Sequence, residues 1–212
     1  DDVAVALAAL APALDARLPR VDGAIAAGRA WLLGRQNPDG GWAAFQVGLP
    51  GKGRGPIMTG PPAIPNDGPW SYLALLREPP PDLGDPATED LTGRVLFGLG
   101  RTGSKASDPE IARAIDFLKA LQDGNGGWWA RWTINYLAGT AWVLRGLVAV
   151  VADLGVTYVE RAVRFLLEHQ NPDGGWGETP ASYVDLTMIG RGPSMPGLTG
   201  LVVTALSESG HR

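Results

Sequence analysis

Val159, Ala162, Val163, Leu166 and Leu167 recur at three- and four-residue spacing with charged residues between them, which predicts an amphipathic helix burying one stripe. Thr157 and Glu160 stand as a capping box at its start. Asn171-Pro172-Asp173-Gly174 then puts Pro where a turn wants a preset φ and Gly where φ turns positive, so the helix is expected to end at Gln170. The same pattern occurs three times. Residues 26–44 and 112–130 align without a gap on 160–178: Gln36, Gln122 and Gln170 each precede a Gly pair and then Trp42, Trp128 and Trp176 by six residues. Trp31, Phe117 and Phe165 lie five before each Gln, followed by Leu32, Leu118 and Leu166, with Gly28, Ala114 and Ala162 eight before it. A Gln at a helix end can take free N–H groups of a neighbouring helix start, and an indole can lie over its amide. Each repeat is therefore expected to clamp adjacent helix pairs rather than to react.

Between these amphipathic segments lie apolar ones. Residues 3–14 read as a helix apolar on every side, expected to be surrounded by protein. Further helices are predicted over about 88–100, 136–153 and 196–207, with the repeat helices over about 22–36, from Ser107 (a second capping box, with Glu110), and from Thr157. Four apolar helices alternate with three amphipathic ones, the pattern of two concentric helical layers. The expected fold is all-α, a partial α/α toroid forming one incomplete domain over residues 1–212. Residues 46–86 hold ten of the eighteen prolines and little periodicity, and stretch the first repeat interval to 86 residues against 48 for the second. That marks an enlarged Pro/Gly-rich loop.

Composition narrows the chemistry. A net charge of −4 with scattered basic residues argues against nucleic acid. With no Cys and only His169 and His211, disulfides and thiolate or imidazole metal sites are not expected. No apolar run reaches the length of a bilayer span. The chain opens on Asp1 rather than Met, already at the head of a predicted helix, and reads as part of a longer polypeptide. His169, beside Gln170, is expected to cap its helix. Glu178 and Asp173 could be imagined as a glycosidase acid pair, but their turn setting suggests solvated caps.

Three stretches carry a resemblance to the C-terminal half of squalene–hopene cyclases, class II triterpene cyclases. The repeats, with NPDGGWGE at 171–178, match that family's QW motif. Residues 85–96, DPATEDLTGRVL, resemble its DP-x-[ST]-ED-[VL]-T-x-[RH]-VL segment, and residues 131–140, RWTINYLAGT, resemble RWGVNYxYGT. The resemblance implies a terpenoid cyclase/prenyltransferase-like toroid enclosing a dry cavity. It implies acid-initiated cyclisation of squalene to hopene- or hopanol-type triterpenes in hopanoid biosynthesis, without metal or organic cofactor. Asp1 and Asp2 match the last two Asp of the family's acid motif, which makes Asp1 the proton donor. A neighbouring carboxylate in low dielectric raises one pKa of such a pair and keeps an acid neutral. Arg94 matches the residue that hydrogen-bonds the acid, although Asp90 and Arg94 also form an i,i+4 pair that could be a plain helix salt bridge. Trp132, Phe45 and Tyr136 match substrate-cavity positions, where aromatic faces stabilise carbocations.

Ala138 replaces a family Tyr, Phe45 stands where Tyr is frequent, and Gln46 stands where Asp is. The implied partners are squalene, the family's N-terminal domain and a membrane surface met peripherally from the cytoplasm; the 212 residues alone are expected to be inactive. The alternatives are a non-catalytic repeat scaffold or degenerate cyclase remnant, and a class II diterpene cyclase.

Overall fold

The structure, a computed structural model, describes residues 2–14, 19–44, 86–150, 152–153 and 155–210. Asp1, Phe45 and all but the last residue of the predicted loop lie outside the described residues. Seven α-helices follow in order among them: α1 (Asp2–Leu10), α2 (Pro19–Leu33), α3 (Glu89–Arg101), α4 (Pro109–Leu121), α5 (Asn135–Ala149), α6 (Thr157–Glu168) and α7 (Pro196–Glu208). Short 3-10 turns occupy Ala11–Leu14, Pro180–Tyr183 and Leu186–Met188.

The helices form two layers. α1, α3, α5 and α7 pack side by side in one row, and α2, α4 and α6 lie against α1, α3 and α5. The expected alternation of apolar and amphipathic helices is thus the alternation of inner and outer layers of an α/α toroid. Inner helices can touch backbone to backbone because their contact positions are glycine. A Cβ on Gly93 would meet the backbone of Trp142 and Val143 at 2.8 Å, and one on Gly100 would meet the Ala149 carbonyl at 2.5 Å. Contacts that advance together along both helices make α3 and α5 parallel. Gly98 meets the backbone of Ala4 in the same way, so α1 joins the row one turn beyond Arg94.

Each repeat turn is a junction with fixed bonds. The indole Nε1 of Trp42, Trp128 and Trp176 donates at 2.7 Å to the carbonyl of Leu32, Leu118 and Leu166, on the outer helix just left. The backbone N–H of the same Trp residues donates to Thr92, Thr140 and Thr199 Oγ1, on the inner helix about to begin, at 3.1, 2.9 and 2.9 Å. Gln36, Gln122 and Gln170 donate from Nε2 to the carbonyl of Gly40, Gly126 and Gly174, all at 2.8 Å. Those glycines hold φ of 95°, 92° and 85°, a region that favours residues without a Cβ.

Several expectations are corrected. Gln36 and Gln122 reach the next outer helix by donating to a carbonyl, of Glu110 and of Tyr158, not by accepting from its free N–H groups. Neither capping box forms. α4 begins at Pro109, which suits the first helical position, so Asp108 takes the N-cap in place of Ser107 and its carboxylate accepts from Lys105 N–H. α6 begins at Thr157 itself, with Val156 at the N-cap and no side-chain cap, which puts Thr157 and Glu160 out of register. α6 closes at Glu168 with His169 as C-cap, its Nδ1 2.7 Å from the Phe165 carbonyl. α1 is not enclosed: Ala4 and Leu7 are buried against its neighbours, but Val5 is 51% exposed at the edge of the row. Trp31 is also half exposed, whereas Phe117 and Phe165 of the same column are buried. Those two pack on Gly41 and Gly127 of the preceding repeat.

Glycine contacts and open glycines predict opposite responses to one methyl. Gly146→Ala pushes a Cβ into the Gly93 carbonyl and within 3.1 Å of Leu96 Cβ, and should cost about 2 kcal/mol. Gly200→Ala, in α7 with nothing within 4 Å, should stabilise by about 0.5–1 kcal/mol. Urea unfolding followed by circular dichroism separates the two, and equal effects would contradict the close inner packing.

Candidate active site

The first turn of α3 carries two buried carboxylates. Glu89 and Asp90 are 1% and 0% exposed, a cost that must be met by hydrogen bonds. Asp90 meets it across the chain: Oδ2 accepts from Trp132 N–H at 3.1 Å and Oδ1 from Arg131 N–H at 3.4 Å. The bend before α5, residues 131–134, is therefore pinned to the start of α3. Its other side is pinned too. Tyr183 donates its O–H to the carbonyls of Ala130 and Thr133, at 2.9 and 2.6 Å. Asn135 Nδ2 donates to Ser182 Oγ at 3.0 Å. Burial, then the negative charges of Asp90 and Glu178, push the Tyr183 phenol well above its ordinary range, so it remains a donor.

Glu178 completes this frame and corrects the solvated reading. It is 1% exposed; Oε2 accepts from Leu137 N–H at 2.8 Å and Oε1 from Gly190 N–H at 3.0 Å. Leu137 lies in the first turn of α5, so the carboxylate satisfies an orphan helix N–H from inside the protein. Asp173 behaves as expected. It is exposed and accepts from the Ser194 hydroxyl and, second, from Gly175 N–H, which hold its carboxyl below the usual range.

What this frame presents is Trp132. Its ring is 41% exposed although its backbone is fixed, and the Arg131 guanidinium lies 5.7 Å from the ring centroid. At that exposure Trp132 is not part of the buried core. Tyr136, in the first turn of α5, is 6% exposed and belongs to the hydrophobic core behind that bend.

Arg94 lies one turn past Asp90 on α3, half-buried. Desolvation lowers its pKa and the Asp90 charge opposes the shift; a guanidinium stays charged under either influence. It stands 5.1 Å from the Trp142 ring centroid. Arg145 continues the stack, 4.3 Å from Phe97 and 5.1 Å from Trp142, and pairs with Glu208 of α7 at 2.8 and 3.2 Å. Alternating cations and rings thereby join α3 and α5, and the ion pair joins α5 to α7.

Of the six predicted site residues, Trp132 is bonded through its backbone N–H to Asp90, whose charge also acts on Arg94. Tyr136 supports from the core. Asp2 is the exposed first residue of α1, the helix that abuts α3 one turn beyond Arg94. Asp1 and Phe45 lie outside the described residues. Asp90, Glu178 and Tyr183, the residues that hold the site, were not assigned these roles from the sequence. Apart from Gly190, 12 positions from Glu178, their partners are 41 to 53 positions away, beyond the reach of local spacing.

Among the described residues no helix is long and apolar enough to cross a membrane, and no cluster of three or more His, Asp or Glu could hold a metal ion. The family model for the squalene–hopene cyclase C-terminal domain matches residues 79–212. A squalene–hopene cyclase of Alicyclobacillus acidocaldarius is 35% identical over 214 residues, covering 100% of this chain and 31% of that protein. A probable squalene–hopene cyclase of Sinorhizobium fredii is 33% identical, covering 89% of this chain and 27% of that protein. A terpene cyclase–glycosyl transferase fusion protein of Humicola fuscoatra is 38% identical over 197 residues, 86% of this chain and 13% of its own length. The chain thus spans less than a third of each of these relatives.

Two measurements check the frame. Asp90→Ala leaves two part-buried N–H groups without their acceptor and should lower stability by about 1–3 kcal/mol, read by thermal unfolding; a neutral substitution would contradict the pinning. Because the folded-state pKa of Tyr183 is raised, the protein's stability is present below the ordinary tyrosine value of about 10 and falls as pH rises through it. Tyr158, raised chiefly by burial, adds in the same sense. Tyr183→Phe should flatten that alkaline decline, and an unchanged slope between wild type and variant would contradict the assignment.

Proposed function

The chain belongs to the squalene–hopene cyclase C-terminal domain family, and from that premise we propose that it supplies the proton donor and part of the cavity wall of an enzyme cyclising squalene to hopene- or hopanol-type triterpenes. Asp1 is the acid, with Asp2 beside it as the second carboxylate. The donor adds its proton to the terminal alkene, the π electrons form the new C–H bond, and the tertiary cation left behind is attacked by the next double bond. Successive closures end in loss of a proton or capture of water. Arg94 is the positioning cation for the acid on α3. Trp132 offers a π face to a passing cation, worth roughly 2 kcal/mol when desolvated, with Tyr136 behind it and Phe45 as a further wall aromatic.

One observation carries this reading: the half-exposed Trp132 ring, held rigid by a buried Asp90 one turn from Arg94. An aromatic whose backbone is fixed in that manner and which is 41% exposed suits a wall that must meet a cation without yielding to it. The rest of the reading follows from the chemistry. Water must be kept from the cation, so the family's N-terminal domain is a partner. A substrate as lipophilic as squalene places the enzyme at a membrane surface, peripherally and from the cytoplasm.

The test uses the polypeptide extended to the length of its relatives, incubated with squalene and analysed by gas chromatography with mass detection. Pentacyclic product is expected from the parent, with a loss of about 10³-fold in Asp1→Asn. Trp132→Ala should still consume squalene but release products with fewer rings. Full activity in Asp1→Asn would remove the proposed acid, and no cyclised product from the parent would favour a non-catalytic scaffold.

A further inference from the structure

Two side-chain pairs interlock across the seam between α3 and α5. Arg94 and Phe97 stand one turn apart on α3, and Trp142 and Arg145 one turn apart on α5. Because the helices run parallel, the pairs meet in opposite order, a cation on a ring and then a ring on a cation. The Arg94 guanidinium lies 5.1 Å from the Trp142 ring centroid, and that of Arg145 lies 4.3 Å from Phe97. Arg145 is also 5.1 Å from Trp142, so one indole has two guanidiniums around it, and Phe97 meets it edge-on with centroids 6.1 Å apart.

Two like charges beside one ring repel, and here each has a carboxylate of its own. Burial disfavours the Arg94 charge, and Asp90, one turn back on α3, opposes that. Glu208 of α7 takes Arg145 with both oxygens, at 2.8 and 3.2 Å. The order across the three helices is therefore carboxylate, guanidinium, indole, guanidinium, carboxylate.

Holding α3 to α5 does not require this ladder. The contact of Gly146 with Gly93 already brings the two backbones together. Apolar side chains would fill the seam without the desolvation that charge costs, and the Arg145 side chain is only 15% exposed. What the ladder adds is a fixed seat for one guanidinium. A long, half-buried arginine keeps much of its rotamer freedom unless something restrains it, and a planar guanidinium stacks on an aromatic face.

We propose that Trp142 and Arg145 are positioning residues that act through Arg94: the indole seats the Arg94 guanidinium, and the Arg145–Glu208 pair keeps the indole from turning away. The inference rests on the reading of Arg94 as the cation set against the proton donor. Neither residue has to touch the substrate, so their influence falls on the chemical step and not on binding.

The test measures kcat and KM for squalene in the polypeptide extended to the length of its relatives. Trp142→Leu should lower kcat on the order of 10²-fold with KM unchanged, and Trp142→Phe, which keeps an aromatic face, should recover most of the loss. Arg145→Met keeps an apolar stem without the charge and should lower kcat in the same sense, which reads the ladder independently should Trp142→Leu unfold. Combined with Arg94→Gln, neither substitution should lower kcat beyond Arg94→Gln alone. Additive losses, a raised KM, or intact turnover in both variants beside an impaired Arg94→Gln would overturn this inference and leave the catalytic reading standing. Full turnover in Arg94→Gln, or no product from the parent, would remove that reading and the inference with it.

Discussion

Everything in this array depends on how one tryptophan is bonded at each turn. Its indole N–H is held by the outer helix that has just ended and its backbone N–H by a threonine of the inner helix about to start. Both bonds are buried in the first two repeats, and a buried donor stripped of its acceptor costs about 1–3 kcal/mol. A tryptophan so placed also fills the angle between layers with a large apolar ring. The three junctions therefore set the spacing of the layers, while the glutamine and the following helix set the order along the row. Small side chains then decide how closely the inner helices approach. With glycine at the contacts, backbones meet directly and the row is stiff.

That stiffness reaches the site by a short route. α3 carries Asp90, and Asp90 holds the bend that bears Trp132; α5 begins at once beyond the bend and is capped from inside by Glu178. Burying carboxylates costs desolvation, and Asp90 and Glu178 are tolerated here because each accepts two backbone N–H groups from elsewhere in the chain. The outcome is a fixed backbone under a partly exposed Trp132. Alternating cations and aromatic rings lower on α3 and α5 join those helices again, so Arg94 has little freedom to drift from its place one turn past Asp90.

Much of this was legible in the sequence, and for a physical reason. The repeat columns are local: Gln, Gly, Gly and Trp fall within seven residues, and Leu precedes Trp by ten in every copy, so turn and clamp could be read together. The alternation of apolar and amphipathic helices likewise gave the two layers. The threonine acceptors were hidden because Thr92, Thr140 and Thr199 follow their tryptophans by 50, 12 and 23 residues, a spacing with no period. Asp90 was misleading for a related reason: its i,i+4 relation to Arg94 is visible in the sequence, whereas its bonds to the 131–132 backbone are not. Glu178 sits in a turn and looked solvated; its burial and its bond to Leu137 N–H, 41 positions away, have no local signature. The capping boxes failed by a single residue of register, which periodicity does not fix.

The central claim is that the tryptophan junctions are rigid elements opened only when the whole domain opens. Native-state hydrogen exchange at the backbone amides of Trp42, Trp128 and Trp176 tests it most directly. The account predicts that all three exchange with one common opening free energy, equal to that of global unfolding. Exchange of Trp128 N–H through local fluctuation, at a rate comparable to the exposed turn before it, would contradict the account.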